Sequence, residues 1–167
     1  MAVSTEAIRE VRDRTGAGIM DVKRALEASD GNVEKAEAAL REKGIAKAAT
    51  KTDRTTAEGV IDSYIHAGNR IGALVELNCE TDFVGRTPEF VELAHNIAMQ
   101  VAAMNPVYIT REEIPAGEER QPEELCLMDQ AFIKDTSKSI GDLVLEVRAR
   151  VGENVKVSRF IRFGLGE

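Results

Sequence analysis

Aromatic side chains are scarce in this chain. Of its 167 residues 4% are aromatic, and none is Trp. With 43% apolar residues in all, the core has to be assembled mostly from Ala, Val, Leu and Ile. Cysteine is nearly absent as well. Cys79 and Cys126 stand alone, without a CxxC pair or a Cys/His cluster, which fits neither a metal site nor a disulfide framework and predicts two buried thiols in a reducing cytoplasm. The histidines, His66 and His95, accompany no nucleophile motif, and GxSxG, Walker A and HExxH patterns are missing, so the sequence supports no enzyme chemistry. Carboxylates are abundant but scattered, with no pair to nominate for acid–base work. No apolar run reaches about 18 residues, which speaks against a membrane span. The N-terminus lacks the basic-then-apolar pattern of a secretory signal. A net charge of −7 opposes broad nucleic-acid binding, which needs clustered cations to neutralise phosphates. Basic residues gather at Lys43, Lys47, Lys51 and Arg54, but acidic groups outnumber them elsewhere. A protein partner fits this balance better than a polyanion, and no cofactor is called for.

What is present is a regular alternation of patterns, which predicts an α+β fold. Residues 4–43 read as three short helices. Ser4 caps the first, Gly16-Ala17-Gly18 turns into the second with Ile19, Val22, Ala25 and Leu26 at helical spacing, and Asp30-Gly31-Asn32 starts the third, which Gly44 is expected to stop. Residues 45–58 read as a linker, helical in part at its start. Val60 to His66 and Ile71 to Asn78 alternate as strands around the turn Ala67-Gly68-Asn69-Arg70. Thr87-Pro88 opens a helix that carries Phe90, Ala94, Ile97, Val101 and Met104 on one face and ends at Asn105-Pro106. After an irregular stretch with one helical turn at 110–113, a helix is expected from Pro122 to Ala131. Another starts at Ser139 and is closed by Gly152, and Val155 to Phe163 forms the last strand. The division is a three-helix domain over 1–44, a linker over 45–58, and a core over 59–167 whose three antiparallel strands are packed by helices, leaving the second sheet face in need of cover.

The segment with most chemical character is Asn78-Cys79-Glu80-Thr81-Asp82-Phe83-Val84-Gly85, held between a strand and a helix start. A carboxylate beside a phenyl ring makes a two-pronged probe, in which the ring enters an apolar slot and the carboxylate meets a donor. The same residues also suit a Phe plugging the chain's own core while Asp satisfies loop amides. At the start of the second helix Ile19 and Met20 are adjacent, so one is expected to pack and the other to project.

Asn78-Cys79-Glu80-Thr81-Asp82-Phe83-Val84 resembles the signature of the bacterial translation elongation factor Ts family. Arg14-Thr15-Gly16-Ala17-Gly18-Ile19-Met20-Asp21-Val22-Lys23-Arg24-Ala25-Leu26 resembles its other hallmark, and Phe132-Ile133-Lys134-Asp135, Val151-Gly152-Glu153-Asn154 and Arg159-Phe160-Ile161-Arg162-Phe163 continue the likeness. The resemblance implies a ubiquitin-associated-like (UBA-like) bundle, a cytoplasmic guanine-nucleotide exchange role, and elongation factor Tu as partner. It implies partner contacts at Thr81, Asp82, Phe83 and Val84, at Arg12, Ile19, Met20 and Lys23, at Lys51, and at the Val151-Gly152 corner. Long members of the family carry two core copies and this chain one, so a short form and a homodimer are expected, with His66 of one copy completing the other's site. The competing reading is a UBA-type adaptor that binds a protein or nascent chain through residues 1–44 and leaves Phe83 idle.

Overall fold

Ser4, Asn32, Thr87 and Ser139 each stand in extended backbone just before a helix, and each side chain accepts an amide hydrogen bond from the first turn. These caps satisfy donors that a helix leaves unpaired at its start, and they fix four boundaries of the chain. In the computed structural model, which describes residues 3–167, the bundle consists of α1 (Thr5–Thr15), α2 (Ile19–Ala28) and α3 (Val33–Ala49). The first two residues of the expected 1–44 domain lie outside the described part. Val11, Val22, Leu26, Ala36 and Leu40 form the bundle's core.

Gly44 does not end α3, which continues to Ala49. A Cβ built on Gly44 would lie 3.4 Å from Ala149 Cβ of the helix Ile140–Val151. The small residue there permits a close helix crossing, and that packing outweighs the roughly 1 kcal/mol that Gly costs inside a helix.

The core sheet has the order β1 (Glu58–Ile65), β2 (Ile71–Cys79), β5 (Lys156–Gly164), with both pairings antiparallel. Every second residue of the central strand, Ala73, Val75, Leu77 and Cys79, is buried. This face packs on α5 (Pro88–Met104) through Phe90, Leu93, Ala94, Ile97 and Val101, with α7 (Ile140–Val151) supplying Ile140 and Val144. Met104, expected on the same stripe, is exposed in the last turn of α5. Both cysteines are buried and unpaired.

The helix expected over 122–131 is broken. Residues Asp82–Gly85 (α4) and Pro122–Leu125 (α6) are single helical turns, a 3-10 turn follows at Leu127–Asp129, and Ala131–Phe132 (β3) pairs with Asp135–Ser139 (β4). Tertiary hydrogen bonds explain the break. The Leu127 amide donates to Tyr108 O at 2.9 Å. The buried Gln100 amide of α5 donates to Ala131 O at 3.1 Å and accepts from the Ile133 amide at 3.0 Å. Those bonds hold the chain extended where local composition favours a helix.

Gly59, the second residue of β1, has a positive φ of 150°, and a Cβ there would stand 2.1 Å from Leu77 O. The obstacle is backbone, so relief requires β1 to part from β2. Gly59→Ala is expected to cost about 2–4 kcal/mol through strain and overpacking. Chemical denaturation measures this, and an unchanged midpoint would show that the strand start can yield.

Candidate partner-binding site

β2 runs directly into Glu80-Thr81 and the four-residue helix α4. Cys79 at the end of the strand is sealed in the core, where burial pushes its thiol pKa up and its Sγ donates to Thr81 O at 3.1 Å. Five residues after Cys79, Val84 and the following Gly85 are also buried, Val84 as part of the main core. Phe83 lies between these buried residues and points the other way. It is 79% exposed, the highest value among the exposed large apolar residues described. This decides against core filler. Asp82 makes an ion pair with Arg86 at 2.9 Å, with Arg86 largely in solvent and Asp82 partly so, so the pair adds little to stability.

The turn before α4 is held from outside. Glu153 accepts from the Glu80 amide and the Thr81 amide, both at 3.0 Å, and from the Thr81 hydroxyl at 2.6 Å. The Glu80 carboxylate accepts from the Asn154 amide at 2.7 Å and meets Arg54 at 3.4 Å. The Asn154 amide in the first place, with Arg54 beside it, holds the Glu80 carboxyl below its usual pKa. The Asn154 side chain donates to Thr52 O at 3.0 Å and Arg54 O at 2.8 Å, and the Lys51 ammonium donates to Gly152 O.

The residues expected to meet a partner fall into three groups. Thr81, Asp82 and Phe83 are joined by this network to Lys51 and to the Val151-Gly152 corner. Val84 turns its side chain into the core, and Lys51 is buried, so neither is offered to solvent as a free contact. Burial, followed by the neighbouring Arg54 and Lys47 charges, pushes the Lys51 pKa down. Val151 is half-buried, and Gly152 caps α7 in left-handed conformation, φ 76°. The second group lies on the bundle: Arg12 and Lys23 are exposed, and Ile19 and Met20 both project, at 54% and 65% exposure. One of that pair was expected to pack. The buried residues of α2 are Val22 and Leu26, so its first turn stands clear of the core. His66 makes the third group alone, exposed beyond β1 with its Nδ1 3.2 Å from the Tyr64 hydroxyl. No hydrogen bond or ion pair among the described residues joins the three groups. Sequence reasoning missed Glu153, Asn154 and Glu80 as the residues that hold the loop. Their only signal was that both segments bear the family likeness.

The family described as Elongation factor TS matches residues 6–123, which span the bundle and the whole Asn78–Gly85 loop. The chain belongs to the elongation factor Ts family. Among its relatives, Elongation factor Ts of Syntrophomonas wolfei is 48% identical, the match covering 99% of this chain and 91% of the relative. That of Methylacidiphilum infernorum is 47% identical over 99% and 96%, and that of Thermotoga maritima 45% over 100% and 98%. These alignments run over 194 or 195 positions against 167 residues here, so elongation factor Ts relatives carry segments that this chain skips. Its place in the family makes the chain a nucleotide-exchange factor of translation elongation.

Proposed function

We propose that this chain binds the GTPase elongation factor Tu in the cytoplasm and releases its GDP through Phe83, without covalent chemistry and without holding a nucleotide itself. The observation that carries the reading is the Phe83 ring, standing in solvent on a single helical turn whose neighbours are buried. A mobile ring would spend much of its binding energy on becoming ordered, and one set on a packed and hydrogen-bonded base spends less. In the proposed action Phe83 enters an apolar slot of the GTPase domain, Asp82 aligns the approach, and the displaced helices of the partner disturb Mg²⁺ and the phosphate loop. Burying one Phe supplies roughly 1.5–3 kcal/mol, and about 1.4 kcal/mol changes a rate tenfold, so one ring suffices for one or two decades. Ile19 and Met20, beside Arg12 and Lys23, form an apolar bump with charged flanks that suits an anchoring contact. The adaptor reading leaves Phe83 without a task. Stopped-flow release of a fluorescent GDP from elongation factor Tu tests the proposal. Acceleration by the chain supports it, and an unchanged rate at saturating chain rejects it.

The same reading includes a homodimer. The sheet face turned away from α5 exposes Ile61, Leu74, Ile161 and Phe163, and Leu74 pairs in register with Ile161. A contiguous apolar sheet face is normally covered, and a second copy related by a two-fold axis covers it with the same surface. Leu74→Lys is expected to give a folded monomer where the parent chain scatters light as a dimer. A monomeric parent at micromolar concentration would reject the dimer and leave the Phe83 role standing.

A further inference from the structure

Three segments remote in sequence meet at the root of the Phe83 helix: residues 51–54 after α3, 152–154 after α7, and 80–81 before α4. Thr81 is the N-cap of α4, yet its side chain makes no capping bond. It gives its hydroxyl to Glu153 instead. A helix of one turn has no cooperative stability of its own, so its direction is set by whatever holds its first residues. Glu153 holds the two residues that lead into this helix, Glu80 and the N-cap Thr81, by three bonds, with Oε2 on two successive amides and Oε1 on the hydroxyl. All three need an acceptor, which an ionised carboxylate supplies on both oxygens.

We propose that Glu153 is a positioning residue for nucleotide exchange: its carboxylate fixes the direction in which Phe83 leaves the core. The next residue carries the setting further. Asn154 binds Glu80 on one side and the Thr52 and Arg54 carbonyls on the other. Lys51, two residues beyond the end of α3, ties the same corner through Gly152. The bundle and the probe are thereby referred to one corner of the core, which gives the two candidate contact groups a common frame.

This inference rests on the exchange reading, and a double-mutant cycle separates the two. The measurement is fluorescent GDP release from elongation factor Tu across a range of factor concentrations. Glu153→Ala is expected to lower the maximal release rate about tenfold, as misplacement of a reacting contact does, with a smaller change in the concentration giving half that rate. Glu153→Gln, which keeps one acceptor oxygen, should recover part of the rate. Added to Phe83→Ala, Glu153→Ala should cost nothing more, because a ring that is absent cannot be aimed. Full additivity of the two losses would show that Glu153 acts elsewhere and would overturn the proposal, since independent sites add. If Glu153→Ala unfolds, Thr81→Val removes the hydroxyl bond alone and is expected to show a smaller loss with the same non-additivity; additivity there overturns the proposal too. Phe83→Ala releasing GDP at the parent rate would reject the reading that exchange acts through Phe83, and a parent chain that does not accelerate release would reject the exchange reading itself. Phe83→Ala slow with Glu153→Ala at the parent rate would reject only the role of Glu153.

Discussion

Phe83→Ala is expected to slow catalysed GDP release at least about tenfold while leaving the melting transition almost where it was. The ring is 79% exposed, so truncating it removes little packing from the folded chain. An anchor residue that fills a pocket in a partner typically costs about 2 kcal/mol or more when cut to Ala, which at about 1.4 kcal/mol per decade gives more than one order of magnitude. Asp82→Ala should cost less, because the Asp82 carboxylate already has Arg86 as a partner and the turn is held by Glu153. Linkage provides an independent check. A factor that weakens GDP binding must itself be weakened by GDP to the same degree. GDP with Mg²⁺ should therefore dissociate the parent complex and affect the Phe83→Ala complex less. An early-melting Phe83→Ala chain, or a parent complex indifferent to GDP, would remove the probe.

Phe90→Ala is expected to do the reverse, seven residues away. Phe90 is fully buried in the main core, at 0% exposure, and its truncation leaves a cavity between α5 and the sheet. The expected loss is about 3–5 kcal/mol, a large part of the stability of a domain of this kind. Denaturant unfolding reads it directly. The fraction still folded should release GDP at the parent rate, since α4 is held by the 80–81 and 153–154 bonds, which do not involve Phe90. A loss under about 1 kcal/mol would mean that the core closes around the gap. The pair of substitutions separates what Phe does inside this protein from what it does outside.

Whether Phe83 pointed in or out was not legible from its neighbours. Asp-Phe-Val in a short helix is compatible with either side, because one turn carries too few residues to establish an apolar period. Orientation came from Val84 and Gly85, which the main core and Gly59 claim on the opposite side. A family likeness pointed to the same loop without giving its geometry. Lys51 was read as a basic residue available to a partner, and its ammonium is instead committed to Gly152 O. Glu153 went unnoticed because its three bonds span more than 70 residues of sequence, and nothing local to it announces them.

The sequence by itself determined the elements whose signals are local. Ser4, Asn32, Thr87 and Ser139 start helices at their own positions, Gly16 and Gly152 close α1 and α7 in left-handed conformation, and the alternation of 71–79 assigns one side of β2 to the core. Caps and periodicity act within a turn or two, so they can be read one segment at a time. Tertiary structure alone decided the rest. α3 passes through Gly44 because Ala149 lies against it, and Ala131–Phe132 becomes strand because Gln100 claims the Ala131 carbonyl and the Ile133 amide. The turn before Phe83 is held by Glu153, and the ring faces solvent because Val84 and Gly85 are claimed by the core side. In each case the deciding partner is distant in sequence, and its contact supplies more free energy than the local preference it overrides.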